Sequence, residues 1–276
     1  MLTAVVVITL VTFTVRAWRK KTSFTAKQNG SAAQLTLAAD VNYVQRVRLR
    51  PRLHHLLNSI GDRLEKPGNE RRVMIGTLRR QNDSQLMPFR LYLELPYHMR
   101  LEEQGAQPRV TGFDGSSGWA LGSILSDADQ NMIETLIFDS ADHFFLGQTQ
   151  GLANRALGSR FRLDDGTDAN YAGPFYDIYQ VMDRLGTGST VRQQPKLFYF
   201  NSDTQLLERV RYRIERNGAA VNVETRITDW KRVNNQRVPC TITRLEDDKP
   251  ALTITIASTV IGPRVADGAF NNPQGR

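Results

Sequence analysis

Alternating apolar and polar positions dominate the chain after residue 70 and predict β-strands. The predicted strands are residues 71–80, 86–95, 97–103, 156–163, 173–182, 196–201, 205–216, 219–230, 237–246 and 251–261. Residues 109–122 add a hairpin that turns at Asp114-Gly115. Short turns join the last strands, so we expect them to form an antiparallel meander.

Two stretches show helical spacing instead. In residues 53–64 the apolar positions recur at intervals of three, four and seven, which marks one apolar stripe. Residues 126–145 repeat this spacing, and Ser126 or Asp127 is suited to cap the helix. The chain is therefore predicted to be an α+β protein with helices interrupting a β-rich order.

Residues 205–216 show what the two faces of the predicted sheet carry. One face of this strand is apolar, whereas the other carries Arg209, Arg211 and Arg213, which we expect to face water. A sheet of about ten antiparallel strands curls rather than lying flat, so the apolar face becomes concave. The residues predicted to line this concave face are Met87, Phe89, Leu91, Leu93, Val210, Tyr212, Ile214, Ile254 and Ile256. A register slip of one residue would exchange the two faces.

The N-terminal residues differ from the rest of the chain. Residues 2–15 are uncharged but fall short of the roughly 20 residues that a spanning helix needs. Their basic residues follow the apolar run, whereas a secretory signal carries positive charge before it. We interpret residues 1–21 as an uncleaved anchor or signal-like segment, residues 22–40 as a linker, residues 41–270 as the folded domain and residues 271–276 as a tail.

The side of the membrane stays open at this point. The positive-inside rule places the following domain in the cytoplasm. A start upstream of Met1, or the folding of a large domain, would permit the opposite orientation. The chain has 36 Lys and Arg against 28 Asp and Glu, a net charge of +8, which favours an anionic membrane surface as partner. The aromatic-plus-basic pattern of a nucleic-acid motif is absent, so nucleic acid is not expected.

Histidine spacing gives no sign of a metal site. His54 and His55 are adjacent on the predicted helix and cannot both face one ion, which would need a spacing of four. His98 and His143 have no Asp, Glu or Cys at a ligand spacing. Residues 164–168 are acidic but do not match the EF-hand pattern. We therefore predict no metal and no cofactor.

Motifs for phosphate binding or acyl transfer are also missing. The glycine-rich stretch 185–190 has no following lysine as in a P-loop, and no G-x-S-x-G stretch occurs. The single cysteine, Cys240, is predicted to be a small core residue. We predict that the protein has no catalytic residues and is not an enzyme.

Four stretches in succession resemble the LolA-like superfamily of bacterial lipoprotein-sorting proteins and lipoprotein carriers. They are "FDGSSGWAL" (113–121), "FYFNSDTQLLERVRY" (198–212), "ITDWKRVNNQRVPCTITR" (227–244) and "STVIGPRVADGAF" (258–270). Asn234-Asn235 stands where the family usually has a glycine. The N-terminus has neither a clean signal nor a lipobox cysteine, which bears on the lipoprotein status and location but not on the fold.

The resemblance implies a curved, half-open antiparallel β-barrel of about 10–11 strands, with helices covering the concave face. It also implies a roomy apolar cavity that holds a lipid or the acyl chains of a lipoprotein. The helices at 53–64 and 132–145 would then close over that cavity as a lid. We expect a non-catalytic carrier in the bacterial cell envelope, membrane-anchored with its domain in the periplasm, that contacts the membrane surface.

Two alternatives remain at this stage. The same fold could serve an envelope regulatory or sensor protein that clasps a protein partner. An enzyme built on the fold would need a cluster of polar groups inside the cavity, and none is expected from the sequence.

Overall fold

The computed structural model describes residues 70–273, apart from gaps at 82, 84, 96, 106–107, 150–153, 164–172, 186–191 and 267. The predicted anchor, the linker and the helix at 53–64 lie outside the described residues. The same holds for the acidic stretch 164–168 and for residues 186–190 of the glycine-rich stretch.

Fourteen strands run through the described part of the chain. They are β1 (Arg71–Arg80), β2 (Met87–Glu94), β3 (His98–Glu103), β4 (Arg109–Asp114), β5 (Gly118–Ala120), β6 (Asn154–Arg162), β7 (Phe175–Leu185), β8 (Arg192–Asn201), β9 (Leu207–Arg216), β10 (Ala219–Thr228), β11 (Lys231–Val233), β12 (Gln236–Val238), β13 (Thr241–Glu246) and β14 (Lys249–Ile261).

Twelve of these strands form one antiparallel sheet in the order β5-β4-β3-β2-β1-β14-β13-β10-β9-β8-β7-β6. The last strand, β14, pairs with the first, β1, so the two halves of the chain meet in the middle of the sheet. Strands β5 and β6 are the two edges and do not pair with each other. The predicted half-open antiparallel sheet is confirmed, with 12 strands instead of 10–11.

The remaining two strands, β11 and β12, form a separate ribbon. The sequence pattern predicts one strand over 237–246, but the structure breaks it between β12 and β13. Pro239 lies in that break, and a proline has no N–H to donate to a ladder. The predicted continuous strand is wrong for this reason.

Among the described residues, one helical segment crosses the concave face. It consists of α1 (Asp127–Ile133), a π-helical turn (Glu134–Phe138) and α2 (Ala141–Thr149). Ser126 caps α1, and its side chain and that of Asp129 form a reciprocal capping box. The helix predicted at 126–145 is therefore confirmed, but its π turn is not encoded in the apolar spacing.

The helical segment bridges the two halves of the curled sheet. Phe138 contacts Phe113 of β4 with ring centroids 5.4 Å apart, and Phe144 contacts Tyr179 of β7 at the same distance. Its buried apolar residues join the core formed by the concave face; they are Met132, Ile133, Leu136, Ile137, Phe144 and Phe145. The concave face is thus covered and filled by this segment.

A bulge bends β1 where it pairs with β14. The register shifts between Ile75 and Gly76, and Gly76 then lies opposite Ile256. A Cβ at Gly76 would lie 2.0 Å from the carbonyl oxygen of Thr255, so a side chain there would require the two strands to separate.

The convex face is not uniformly polar, which corrects the sequence expectation. A smaller apolar cluster on β7 and β8 comprises Tyr176, Ile178, Leu197 and Tyr199. Next to it, Arg209 and Arg211 are half-buried instead of facing water, and Arg213 is also half-buried. The guanidinium of Arg209 lies 5.9 Å from the Tyr176 ring centroid, and that of Arg211 lies 5.8 Å from the Tyr199 ring centroid.

Glu224 binds three arginines, and we call Glu224, Arg209, Arg211 and Arg226 the arginine cluster. Arg209 donates from Nη1 to Glu224 Oε1 at 2.9 Å, and Arg226 donates from Nε to the same oxygen at 2.6 Å. Arg211 donates from Nε to Oε2 at 2.5 Å. Burial raises the pKa of Glu224, but the three guanidinium groups outweigh it and hold the pKa below the ordinary value of 4.5.

Candidate functional site

A small pocket lies where the helical segment meets the middle of the sheet, and we call it the seam pocket. Its walls are Arg72, Met74, Leu91, Leu93, Thr135, Leu136, Asp139, Ser140, Ala141, Asp142, Ile227, Trp230, Pro239, Ile242 and Ile256. The volume is about 40 Å³. At about 10–15 Å³ per water, that is room for roughly three water molecules. Within the described residues, the seam pocket therefore offers much less room than the roomy cavity that the resemblance implies.

Strand alternation explains the apolar wall of the pocket. Leu91 and Leu93 project inward from β2, and Ile256 projects inward from β14. Leu91 is 0% exposed and Ile256 is 3% exposed. The opposite wall is the π turn and the start of α2, which contribute Leu136 and Ala141.

Arg72 fastens one side of the seam pocket. Its side chain is only 1% exposed, so its charge requires polar partners, and the guanidinium has three. It donates from Nε to Glu70 Oε1 at 2.7 Å, from Nη1 to Asp142 Oδ2 at 3.3 Å and from Nη2 to Gln236 Oε1 at 3.0 Å. Arg72 thus joins β1 to α2 and to the β11–β12 ribbon.

A second and larger polar group lies deeper under the helical segment. We call it the lysine hub, and its members are Lys196, Asp139, Glu134, Asp183, His143, Tyr212 and Thr225. Lys196 Nζ lies 2.8 Å from Asp139 Oδ1, 2.9 Å from Glu134 Oε1 and 3.4 Å from Asp183 Oδ2. Lys196 and Asp139 are both fully buried.

Asp139 is the acceptor at which the hub meets the pocket. Besides Lys196, it accepts hydrogen bonds from the hydroxyls of Thr225 at 2.6 Å and Tyr212 at 3.2 Å. These donors come from β8, β10 and β9, whereas Asp139 directly follows the π turn. The hub therefore ties the end of the π turn to the β8–β10 part of the sheet.

The carboxylates of the hub stabilise the charged form of Lys196. Burial lowers the pKa of Lys196, but the carboxylates of Asp139 and Glu134 outweigh it and hold the pKa well above the ordinary value. Burial also raises the pKa of the Tyr212 hydroxyl, and the Asp139 carboxylate raises it further. Tyr212 therefore stays protonated and serves as a donor to Asp139.

Arg244 extends the polar contacts from the hub towards α1. It donates from Nη1 to the Tyr212 hydroxyl at 2.7 Å, from Nη2 to Asn131 Oδ1 at 3.2 Å and from Nε to Glu246 Oε1 at 3.0 Å. Arg109 and Thr111 of β4 bind Asp129 at the start of α1. The helical segment is thus held by polar contacts in α1 and at Asp139, which follows the π turn.

The hub corrects the expectation that no polar cluster lies inside the concave face. Its arrangement is that of a structural tie, since the Lys196 ammonium supplies the positive charge that the carboxylates need. Within the part of the chain that the structure describes, no group of three or more His, Cys, Asp or Glu side chains could hold a metal ion.

The structure brings together the residues that the sequence predicts on the concave face. Phe89, Leu91, Leu93, Val210, Tyr212, Ile254 and Ile256 are members of the main core, and Met87 and Ile214 pack against it. The alternate strand positions predicted to face inward are those that face inward in the structure. Leu91, Leu93 and Ile256 line the seam pocket, whereas Tyr212 belongs to the hub.

Sequence reasoning missed Arg72, Lys196, Asp139 and His143 as inward-facing residues. His143 Nε2 lies 3.1 Å from Asp183 Oδ2, although 40 residues separate the two in the chain. One signal could have found Lys196, because it has the same strand parity as the inward Phe198 and Phe200 of β8. A charged residue at a core position requires a buried partner.

The fold and the site together define an open antiparallel sheet whose concave face is closed by one tethered helical segment. No family model and no curated protein matches the sequence. None of the helices in the described part of the chain combines the length and apolar character needed to span a membrane.

Solved structures similar to the chain include one described as a LolA superfamily protein, the group that the four sequence stretches resemble. A Vibrio parahaemolyticus domain described as an outer membrane lipoprotein-sorting protein is 12% identical, with a TM-score of 0.48, over 75% of this chain and 91% of that chain. A LolA superfamily protein from Nitrosomonas europaea is also 12% identical with a TM-score of 0.48, over 79% of this chain and 97% of that chain.

A third similar structure is a DUF1329 family protein from Desulfovibrio piger. It is 10% identical, with a TM-score of 0.44, over 81% of this chain and 94% of that chain.

Proposed function

We propose that this protein is a non-catalytic binding protein that takes up a lipid, or an acyl chain of a lipoprotein, between its helical segment and the concave face of its sheet. The observation that carries the proposal is the position of the seam pocket. It lies beside Asp139 of the lysine hub, under the part of the helical segment that faces the apolar side chains of β1, β2 and β14.

The contacts on the two sides of the helical segment are unequal. Towards β8–β10, Asp139 is held by three buried hydrogen bonds. Towards β1, β2 and β14, the sheet offers apolar side chains, and the polar tie described for that side is Arg72 to Asp142. The pocket therefore enlarges most easily by movement of the helical segment away from the middle of the sheet.

A bound acyl chain would replace the apolar contacts that such a movement removes. Each buried CH₂ contributes about 0.8 kcal/mol relative to water. A membrane offers a similar gain, so the net free energy of transfer between membrane and protein is small and the exchange is reversible. A filled, openable interior suits a carrier of this kind better than a rigid open cavity does.

We place the protein in the bacterial cell envelope, with its domain on the periplasmic side and the membrane surface as a partner. The uncharged stretch 2–15 and the net charge of +8 support this placement. Ile124 and Leu121, which precede α1, are 92% and 48% exposed. Such side chains are suited to touch a bilayer or a partner.

The proposal is tested by filling the seam pocket. Ala141 lines the pocket and is 3% exposed, so the substitution Ala141→Leu occupies the space an acyl chain must enter. We expect the affinity for a fluorescent C12 fatty-acyl probe to fall by about tenfold or more, because overpacking must be relieved before the ligand enters. The exposed Ala257→Leu is the matched control and should bind like the wild type.

Both variants are first checked for a cooperative thermal transition, so that loss of binding is not confused with unfolding. Equal probe affinity in wild type and Ala141→Leu would overturn the proposed site. A wild-type protein that binds no acyl probe, and yields no lipid after purification from membranes and extraction, would overturn the proposed function.

The second candidate is an envelope regulatory or sensor protein that clasps a protein segment. The small volume of the seam pocket favours it, since a protein partner needs no long cavity. Stoichiometric co-purification of one protein, together with absence of bound lipid, would support this function instead.

A further inference from the structure

Two polar atoms at the seam pocket lack the hydrogen-bond partners that their burial calls for. Thr135, on the π turn, lines the pocket and is 2% exposed, and its Oγ1 has no partner. The buried Nε1 of Trp230, another lining residue, also has none. A helical threonine commonly bonds to a carbonyl of the preceding turn, and Thr135 does not.

Their chemistry restricts what a ligand can offer. An indole N–H is a donor only, and a threonine hydroxyl can donate one hydrogen. The matching ligand group is therefore a hydrogen-bond acceptor. A hydrocarbon alone would leave both donors unpaired in a buried site, which is unfavourable.

The charges around the pocket decide between a neutral and an anionic acceptor. The Arg72 guanidinium is already paired with Glu70 and Asp142. Lys196, behind Asp139, is paired with three carboxylates. Around Arg72 and Lys196 the carboxylates therefore outnumber the cations, so a further carboxylate or phosphate group in the pocket would be repelled.

We propose that the seam pocket recognises the neutral carbonyl group of an acyl ester or amide, with Thr135 and Trp230 as the donors, and discriminates against the free fatty acid. This inference rests on the proposed function, since it names the class of acyl compound that the same site takes. Thr135 and Trp230 are specificity residues in this proposal, and the apolar wall supplies the rest of the binding.

Three probes with the same chain length separate the contributions: methyl laurate, laurate and dodecane. For the wild type we expect methyl laurate to bind about 2- to 10-fold more tightly than dodecane, the range for one net hydrogen bond. Laurate should bind no more tightly than the ester. Affinity is measured by displacement of a fluorescent acyl probe, below the micellar concentration of laurate and below the aqueous solubility limits of methyl laurate and dodecane.

The isosteric substitution Thr135→Val removes the hydroxyl and keeps the shape. We expect it to weaken methyl laurate binding by about 2- to 10-fold and to leave dodecane binding unchanged. Thr253→Val, on the opposite face of β14, is the matched control and should change neither. The indole ¹⁵N–¹H resonance of Trp230, assigned by its loss in Trp230→Phe, should move downfield with the ester and not with dodecane.

The outcomes distinguish this inference from the proposed function. If methyl laurate and dodecane bind equally, and Thr135→Val changes neither, the carbonyl subsite is wrong while acyl binding stands. Tighter binding of laurate than of the ester would also overturn it. If none of the three probes binds the folded wild type, both the inference and the proposed function fail.

Discussion

The lysine hub and the arginine cluster share β9 and β10 but lie on opposite faces of the sheet. In the hub, Lys196 is fully buried on the concave face. In the arginine cluster, Glu224 is buried on the convex face, but the side chains of Arg209 and Arg226 are 21% and 46% exposed. The two clusters contain similar ion pairs in very different solvent environments.

This difference decides what each cluster does. Removing one partner of a buried pair leaves an uncompensated charge, which costs far more than the loss of a surface pair. The hub therefore acts as an all-or-none tie between the helical segment and β8–β10. The arginine cluster shields the apolar patch of Tyr176 and Tyr199 and can lose one of its three arginines with little effect.

The largest expected effect is that of Lys196→Met. It leaves Asp139 and Glu134 buried without their cation, so we expect a loss of about 3–5 kcal/mol in the free energy of unfolding, measured by urea denaturation. The exposed Lys231→Met is the control and should change the free energy by less than about 0.5 kcal/mol. A loss below about 1 kcal/mol for Lys196→Met would show that the hub is not a tie.

An intermediate effect is expected for Glu224→Gln, and it should depend on pH. The pKa of Glu224 is lowered on folding, so its contribution is present above the unfolded value of 4.5 and is lost as pH falls through the folded pKa. At neutral pH we expect a loss of about 1–2 kcal/mol in the free energy of unfolding. The difference between wild type and variant should shrink as the pH is lowered below 4.5.

The hub has the opposite pH dependence, which sharpens the comparison. Because the folded pKa of Lys196 is raised, its contribution is complete below the unfolded value of 10.5 and is lost only as pH rises through the folded pKa. The effect of Lys196→Met should therefore stay constant from neutral pH up to the unfolded value of 10.5 and decline only above it, whereas that of Glu224→Gln declines in acid. A decline of the Lys196→Met effect between neutral pH and 10.5 would contradict this assignment.

The smallest effect is expected for Arg226→Ala. Its side chain is 46% exposed, and Arg209 and Arg211 still pair with Glu224 after its removal. We expect a change of about 0–1 kcal/mol in the free energy of unfolding, and a smaller one in about 1 M salt. A salt-independent loss would mean that Arg226 acts by packing rather than by charge.

Local patterns in the sequence predict the elements, since each pattern acts over a few residues. Alternation along β2 and β9 identifies the inward parity of Leu91 and Val210, and the apolar spacing after Ser126 identifies the helix. A π turn leaves no comparable signature, because it shifts the winding within a run that is apolar in either case.

The candidate site depends on contacts between distant residues, which no local pattern contains. Lys196 and Asp139 are 57 residues apart, and Thr225 is 86 residues from Asp139. In the sequence, each of them looks like an ordinary polar position. Only the curling of the sheet around the helical segment brings them together. The filled interior could not be predicted for the same reason. The sequence indicates how much apolar surface the faces carry but not how deeply the helix packs between them.

The glycine bulge in β1 determines which wall of the seam pocket can yield. Gly76 lies against the backbone of Thr255 and opposite Ile256, so the sheet side of the pocket is fixed by main-chain packing. Because the contact is with main-chain atoms, a change of side-chain rotamer cannot relieve it. Under the proposed function, an acyl chain would therefore gain its space from the helical segment, and a substitution that enlarges residue 76 would distort the sheet wall of the pocket instead.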